Sequence, residues 1–181
     1  MTPARMELIG SDRVRYFIPT TICAYLAVLC IALIVTSAFL TRLQDAVAVT
    51  AAGLFGLGLS GGLGLLFWRT QQRDLRYLHV AAACGAAANY AAVRAAALGA
   101  GWRILRDDPG VRLDAQTPVS LLDVGERVQV RFCGREVLIG SICDPSVGFS
   151  LVGRRHCAEH REFVRRAVMG GAEALKSEIA T

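Results

Sequence analysis

Five residues in the C-terminal half are of the types that bind metals or act as redox thiols: Cys133, Cys143, His156, Cys157 and His160. His156 and His160 are spaced i, i+4, which on a helix puts both imidazoles on one face, and zinc sites combine such pairs with cysteine thiolates. The spacing between Cys133 and Cys143 does not fit a zinc knuckle. Cys133 borders a turn sequence and Cys143 closes an apolar run, places where a small thiol packs well. The five therefore read as packing residues: no cofactor is expected, and His160→Ala should leave the fold intact. A metal or thiol sensor is the alternative. The remaining cysteines, Cys23, Cys30 and Cys84, are scattered and no Cys-x-x-Cys occurs, which suits reduced thiols in a cytoplasm-facing domain rather than a disulfide framework. The sequence holds no phosphate-binding loop, no G-x-S-x-G, no H-E-x-x-H and no dinucleotide fingerprint, and it reads as a non-enzyme.

These residues follow a strongly apolar N-terminal half. Residues 17–40 and 46–68 carry no charged side chain, and only the five residues 41–45 separate them. A span needs about 20 apolar residues at 1.5 Å each to cross a core of roughly 30 Å. Both runs qualify, and so short a linker forces an antiparallel hairpin. The first run is too long for the 7–15-residue core of a signal peptide. Arg5, Arg13 and Arg15 precede the hairpin and Arg69, Arg73 and Arg76 follow it, whereas the linker has Arg42 balanced by Asp45. Basic residues favour the cytoplasmic side, so both termini are expected there, in a bacterial inner membrane. Arg69, Arg73 and Arg76 are expected at the membrane surface.

The second run contains a ladder of small residues, Ala52, Gly56, Ser60 and Gly64, at spacing four, with Gly58 and Gly62 as a second pair. Small residues at this spacing let two helix backbones approach closely in lipid. The ladder is expected to pack on the first span or on another subunit. Neither run contains an ionisable residue of the kind that ion or proton paths need, so the hairpin alone is not a transporter.

Residues 77–101 are alanine-rich and helix-forming. A third span there would bury Arg94, at about 2.5–3.5 kcal/mol on insertion scales. Residues 69–101 are therefore read as a basic, then helical, connector, with a third span as the alternative. From Trp102 the pattern changes. Asp107-Asp108-Pro109-Gly110 signals a turn, and strands are expected over 111–113, 119–122, 127–132, 136–142 and 148–152. Val128, Val130 and Phe132 alternate with Arg127, Gln129 and Arg131, as in a half-buried strand. Cys133-Gly134-Arg135 reads as a hairpin turn. A helix over 154–167 follows, which Gly170-Gly171 should break, leaving 170–181 as a tail. Arginine supplies 19 of the 20 basic residues and the net charge is +5, yet most arginines are interleaved with Asp and Glu, the pattern of a solvated face rather than of a nucleic-acid surface.

The hairpin at 127–139 (RVQVRFCGREVLI) and the helix at 159–166 (EHREFVRR) carry a resemblance over 102–169 to the pleckstrin-homology-like domains of small two-span bacterial inner-membrane proteins. The resemblance implies a binding or scaffolding module without catalytic residues; a small OB-like or SH3-like barrel fits the strands nearly as well. The expected fold is thus a membrane α-helical hairpin (17–68) after a cytoplasmic segment (1–16), with a small α+β domain, an antiparallel barrel or sandwich capped by a C-terminal helix. The expected role is a non-catalytic membrane accessory or scaffold subunit that contacts membrane lipid and a protein partner or larger complex. The minor subunit of a multi-chain membrane enzyme is a further alternative.

Overall fold

The computed structural model describes residues 5–8, 10–39, 43–119, 125–145 and 154–179. Nine elements follow in order: α1 (Ser11–Ser37), α2 (Leu43–Asp74), β1 (Leu78–Ala81), α3 (Ala86–Gly99), β2 (Arg103–Asp108), β3 (Arg112–Gln116), β4 (Glu126–Cys133), β5 (Glu136–Cys143) and α4 (Arg154–Ile179).

Helices α1 and α2 are long and apolar enough to cross a membrane, and only 6 % and 11 % of their most apolar stretches are buried. A core helix of a soluble protein would be mostly buried; here Ile22, Val28, Leu54, Phe55 and Leu66 are all exposed. The helices pack side by side along a seam that recurs every three or four residues. On α1 it comprises Tyr16, Thr20, Cys23, Ala27, Cys30, Ile34 and Ser37, each buried or half-buried. This alternation of fours and threes averages 3.5 residues, the spacing that keeps one face of a helix on its neighbour. Both helices overrun their apolar stretches at the end near the sheet. Pro19 consequently lies inside α1 rather than in its first turn, and the helix forgoes the bond to the Arg15 carbonyl.

The five strands form one open antiparallel sheet in the order β1-β5-β4-β3-β2. An antiparallel barrel or sandwich is the expectation from the sequence; among the described residues the sheet is open, with β1 and β2 at its opposite edges. Turns of the predicted kind close two hairpins: Gly110 and Gly134 both adopt positive φ, 70° and 65°, which glycine reaches without steric cost. The even residues of β4 point to one face, where α3 and α4 cover Val128, Val130, Phe132, Val137 and Ile139 with Val93, Ala97, Val164 and Val168. Asn89, Val93 and Ala97 supply the buried side of α3, so its small residues bring the helix close to the sheet.

The alanine-rich stretch is therefore not one connector helix. Its first residues form β1, which pairs with β5 from Leu78 opposite Ile139 to Ala81 opposite Glu136, and the sheet domain begins near residue 78 rather than 102. Helix α3 has 14 residues, about 21 Å, which is short of a membrane core. Arg94, the residue that argued against a third span, pairs with Asp107 at 2.9 Å. Strand β2 was not anticipated, because Arg103, Arg106 and Asp108 hide its alternation and a bulge between Ile104 and Arg106 shifts its register. Gly170-Gly171 does not end α4, which continues to Ile179. The expected strand at 148–152 and most of that at 119–122 lie outside the described residues.

Candidate functional site

The second face of the sheet meets the ends of both apolar helices, and a network of polar side chains gathers there. Its apolar part is a small cluster of Met6, Tyr16, Leu75, Tyr77, Leu138 and Ile142, with Leu8 and Phe17 at the margin. The segment before α1 lies over the sheet: the Met6 amide donates to the Leu75 carbonyl at 2.8 Å. Gly140 makes this possible, because a Cβ there would overlap the Met6 side chain and stand 3.1 Å from the Tyr77 ring.

Around this cluster runs a charged and amide network. Arg112 donates to both oxygens of Asp114 at 2.8 Å each, and its third nitrogen reaches Glu7 at 3.2 Å. Arg112 and Asp114 are almost fully buried. The Arg131 guanidinium lies 2.8 Å from Glu7 and 5.9 Å above the Tyr77 ring. Hydrogen bonding to Arg131, then its charge, holds the Glu7 carboxyl below the usual carboxylate range. Burial, partly opposed by Arg131, pushes the Tyr77 phenol up; its hydroxyl donates to Gln129 at 3.0 Å, and the Gln129 amide donates to the Glu7 carbonyl at 3.1 Å. Asp12 in the first turn of α1 pairs with Arg127. Gln71, fully buried, donates to the Tyr16 carbonyl at 2.7 Å and accepts from Thr20 at 2.6 Å. Arg161 of α4 adds a third tie, donating to the carbonyls of Asp74 and Ser141 at 2.7 and 2.9 Å. The arginines that read as a solvated face of β4 are thus largely consumed in holding the sheet to the hairpin. Buried donors and acceptors need such partners, and their geometry fixes the sheet domain on the helix ends.

The Cys/His group is only partly assembled. Cys133 is exposed at the tip of the β4–β5 hairpin, whereas Cys143 ends β5 opposite Glu126; seven strand steps, about 23 Å, part them. Cys143, Cys157 and His160 do converge, with Glu126 and Ser141, between the sheet and α4. Glu126 is fully buried and forms an ion pair with His160. The His160 ring also packs edge-on against Trp102 at 5.4 Å. Hydrogen bonding to Cys143, then burial, push the Cys157 thiol well above its ordinary range. His156 is half-exposed and its nearest acidic partner is Glu159, 3.9 Å away. Among the described residues no group of three or more His, Cys, Asp and Glu side chains is disposed to hold a metal ion.

The glycine ladder divides. A Cβ on Gly53 would stand 2.6 Å from Ile34, one on Gly56 2.7 Å from the Cys30 sulfur and one on Gly64 3.1 Å from Cys23, while Gly58, Gly61 and Gly62 have open space. Ser60 is buried and donates to the Gly56 carbonyl at 2.7 Å. Gly56, Ser60 and Gly64 therefore face α1, joined by Gly53, and the two thiols of the first run are the small residues opposite them. Ala52 is exposed, and Gly58 and Gly62 do not take part in this packing. Of the basic group, Arg76 bridges to Arg5 through the backbone, and Arg69 and Arg73 are exposed near the end of α2.

Sequence reasoning missed Met6, Glu7, Asp12, Gln71, Asp114 and Glu126. Gly140, a glycine inside an otherwise good strand, was the available sign that another chain segment approaches closely there. Nothing local distinguishes Glu126 from a surface glutamate. No protein-family model matches the chain, and neither curated proteins nor solved structures show a significant match to it.

Proposed function

We propose that the chain is a non-catalytic accessory or scaffold subunit of a bacterial inner membrane, with the hairpin as its anchor, both termini in the cytoplasm and the sheet domain at the membrane surface binding a partner protein or lipid headgroups. The observation that carries this reading is the clamp between the sheet and the helix ends. A tether would leave the domain free on a linker; here Asp12 of α1 and the bond of Arg161 to the end of α2 tie it to the helices, and Met6 and Glu7 tie it to the segment before α1, while Gln71 locks the two helices to each other. A rigid mount suits a module that presents a surface at fixed height above the bilayer. Among the described residues strand β2 is an edge of the sheet, with Leu105 on it and Val111 beyond its turn both exposed, and such an edge can receive a partner strand. The likeness to pleckstrin-homology-like domains rests on antiparallel strands followed by one helix, and supports binding rather than catalysis.

The test combines topology with assembly. Cys133 is exposed and Cys143 is buried, so an impermeant maleimide should label Cys133 in inverted membrane vesicles and leave it unlabelled in intact cells. After mild detergent extraction the protein should run as a complex of defined stoichiometry. Labelling of Cys133 in intact cells would reverse the orientation, and a monomeric species under every mild extraction would remove the scaffold reading.

A further inference from the structure

Two pockets open on the same side of the hairpin and share Arg13, Phe17 and Gln72. The upper one, about 350 Å³, lies between the segment before α1 and the end of α2 and is lined by Arg5, Arg13, Gln72 and Leu75 among others. The lower one, about 340 Å³, continues along the helices between Val14, Phe17, Thr21 and Trp68. Each has the size of a small-ligand site, which runs from about 300 to 1,000 Å³. Together they form one groove, polar at one end and apolar at the other.

The order of residues along the groove matches the cross-section of a lipid leaflet. Arg13 and Phe17 are one helical turn apart on α1, as are Gln72 and Trp68 on α2, so the cationic end stands about 6 Å beyond the aromatic end. Phe17 and Trp68 pack as a tilted ring pair at 5.5 Å, at the depth where aromatic rings gather in membrane proteins. The groove is also electrostatically unbalanced. Among the described residues Arg13 has no acidic partner, and the Arg5 guanidinium donates to a neutral amide, Gln72, at 2.5 Å. Glu7 lines the upper pocket, but its carboxylate is turned to Arg131 and Arg112. Two guanidiniums thus face a cavity whose one acid is already neutralised, an arrangement complementary to a phosphate.

We propose that this groove binds an anionic glycerophospholipid of the leaflet next to the sheet domain, with its phosphate on Arg13 and Arg5, its headgroup on Gln72 and one acyl chain along Phe17, Trp68 and Val14. The proposal rests on the reading that the hairpin crosses a membrane. Occupancy would also bridge α1, α2 and the segment that seats Met6 on the sheet, so the lipid would strengthen the clamp.

Trp68 provides the probe, because the other tryptophan, Trp102, is buried in the sheet domain. The full chain is reconstituted in vesicles of equal phosphatidylglycerol and phosphatidylcholine in which one lipid or the other carries dibrominated chains. Emission should be quenched more strongly by brominated phosphatidylglycerol, and Arg13→Gln should weaken that preference about tenfold. Arg69→Gln, the same charge change at the same membrane surface, should leave it nearly intact. Equal quenching by both lipids, or equal loss with Arg69→Gln, would overturn the site while leaving the membrane reading standing. Quenching by neither would overturn both. Loss of the preference on adding millimolar glycerol phosphate would assign the groove to a soluble phosphate instead of a lipid.

Discussion

Replacing Gly53 by leucine tests the packing of the hairpin most directly. The new Cβ would lie 2.6 Å from Ile34 Cγ1 and 3.3 Å from the Cys30 carbonyl oxygen. The isoleucine can rotate, but the carbonyl belongs to the helix backbone, so the helices must separate. Overpacking of this kind costs about 1–3 kcal/mol. A separation of half to one ångström forfeits a quarter to a half of each lost contact of about 0.1–0.2 kcal/mol, or about 1 kcal/mol over some twenty atom pairs. Better helix propensity returns about 1 kcal/mol. The net loss is about 1–3 kcal/mol, which lowers Tm by about 3–10 °C in a chain of this size. Gly62→Leu meets nothing within 4 Å and should melt at or above the wild-type temperature. The assay is thermal unfolding of the full chain in mild detergent, followed by the fraction remaining in the monodisperse peak on size exclusion. If Gly62→Leu lowers Tm as much as Gly53→Leu, or if neither changes it, the assignment of the ladder to α1 is wrong.

The buried pair supplies a second expectation, opposite to the tolerance that the sequence suggested. His160→Ala leaves the Glu126 carboxylate buried without its partner and should cost about 3 kcal/mol, and adding Glu126→Gln should recover a large part, as read by urea midpoints; an innocuous His160→Ala would show that the pair carries no charge. The third concerns acid. Arg131 and Arg112 hold the Glu7 carboxyl of the folded protein below the range of a free glutamate, so its contribution is present above the unfolded pKa and is lost as pH falls through the folded one. Stability should therefore decline progressively below about pH 4.5, and Glu7→Gln should be less stable at neutral pH with a shallower acid limb, measured as Tm against pH; an unchanged limb would mean that other carboxylates dominate it.

The sequence alone determined the hairpin. Two apolar runs long enough to cross a membrane, joined by five residues, call for two antiparallel helices, and the ladder of small residues calls for a close helix contact. It also determined the β4–β5 hairpin and the β2–β3 turn, because alternation and glycine at positive φ are local properties. What it left open depends on contacts between distant segments. Whether Gly56 or Gly58 faces α1 is a question of helix rotation, which spacing cannot fix. Whether Arg131 is solvated or spent on Glu7 depends on a segment more than a hundred residues away coming to lie on the sheet. Leu78–Ala81 lacks a strand signature of its own and becomes a strand because β5 offers an unpaired edge and Cys84 to Trp102 return the chain across its face. Glu126 is likewise ordinary in sequence and becomes a fully buried ion-pair partner only when α4 closes over the sheet and brings His160 against it.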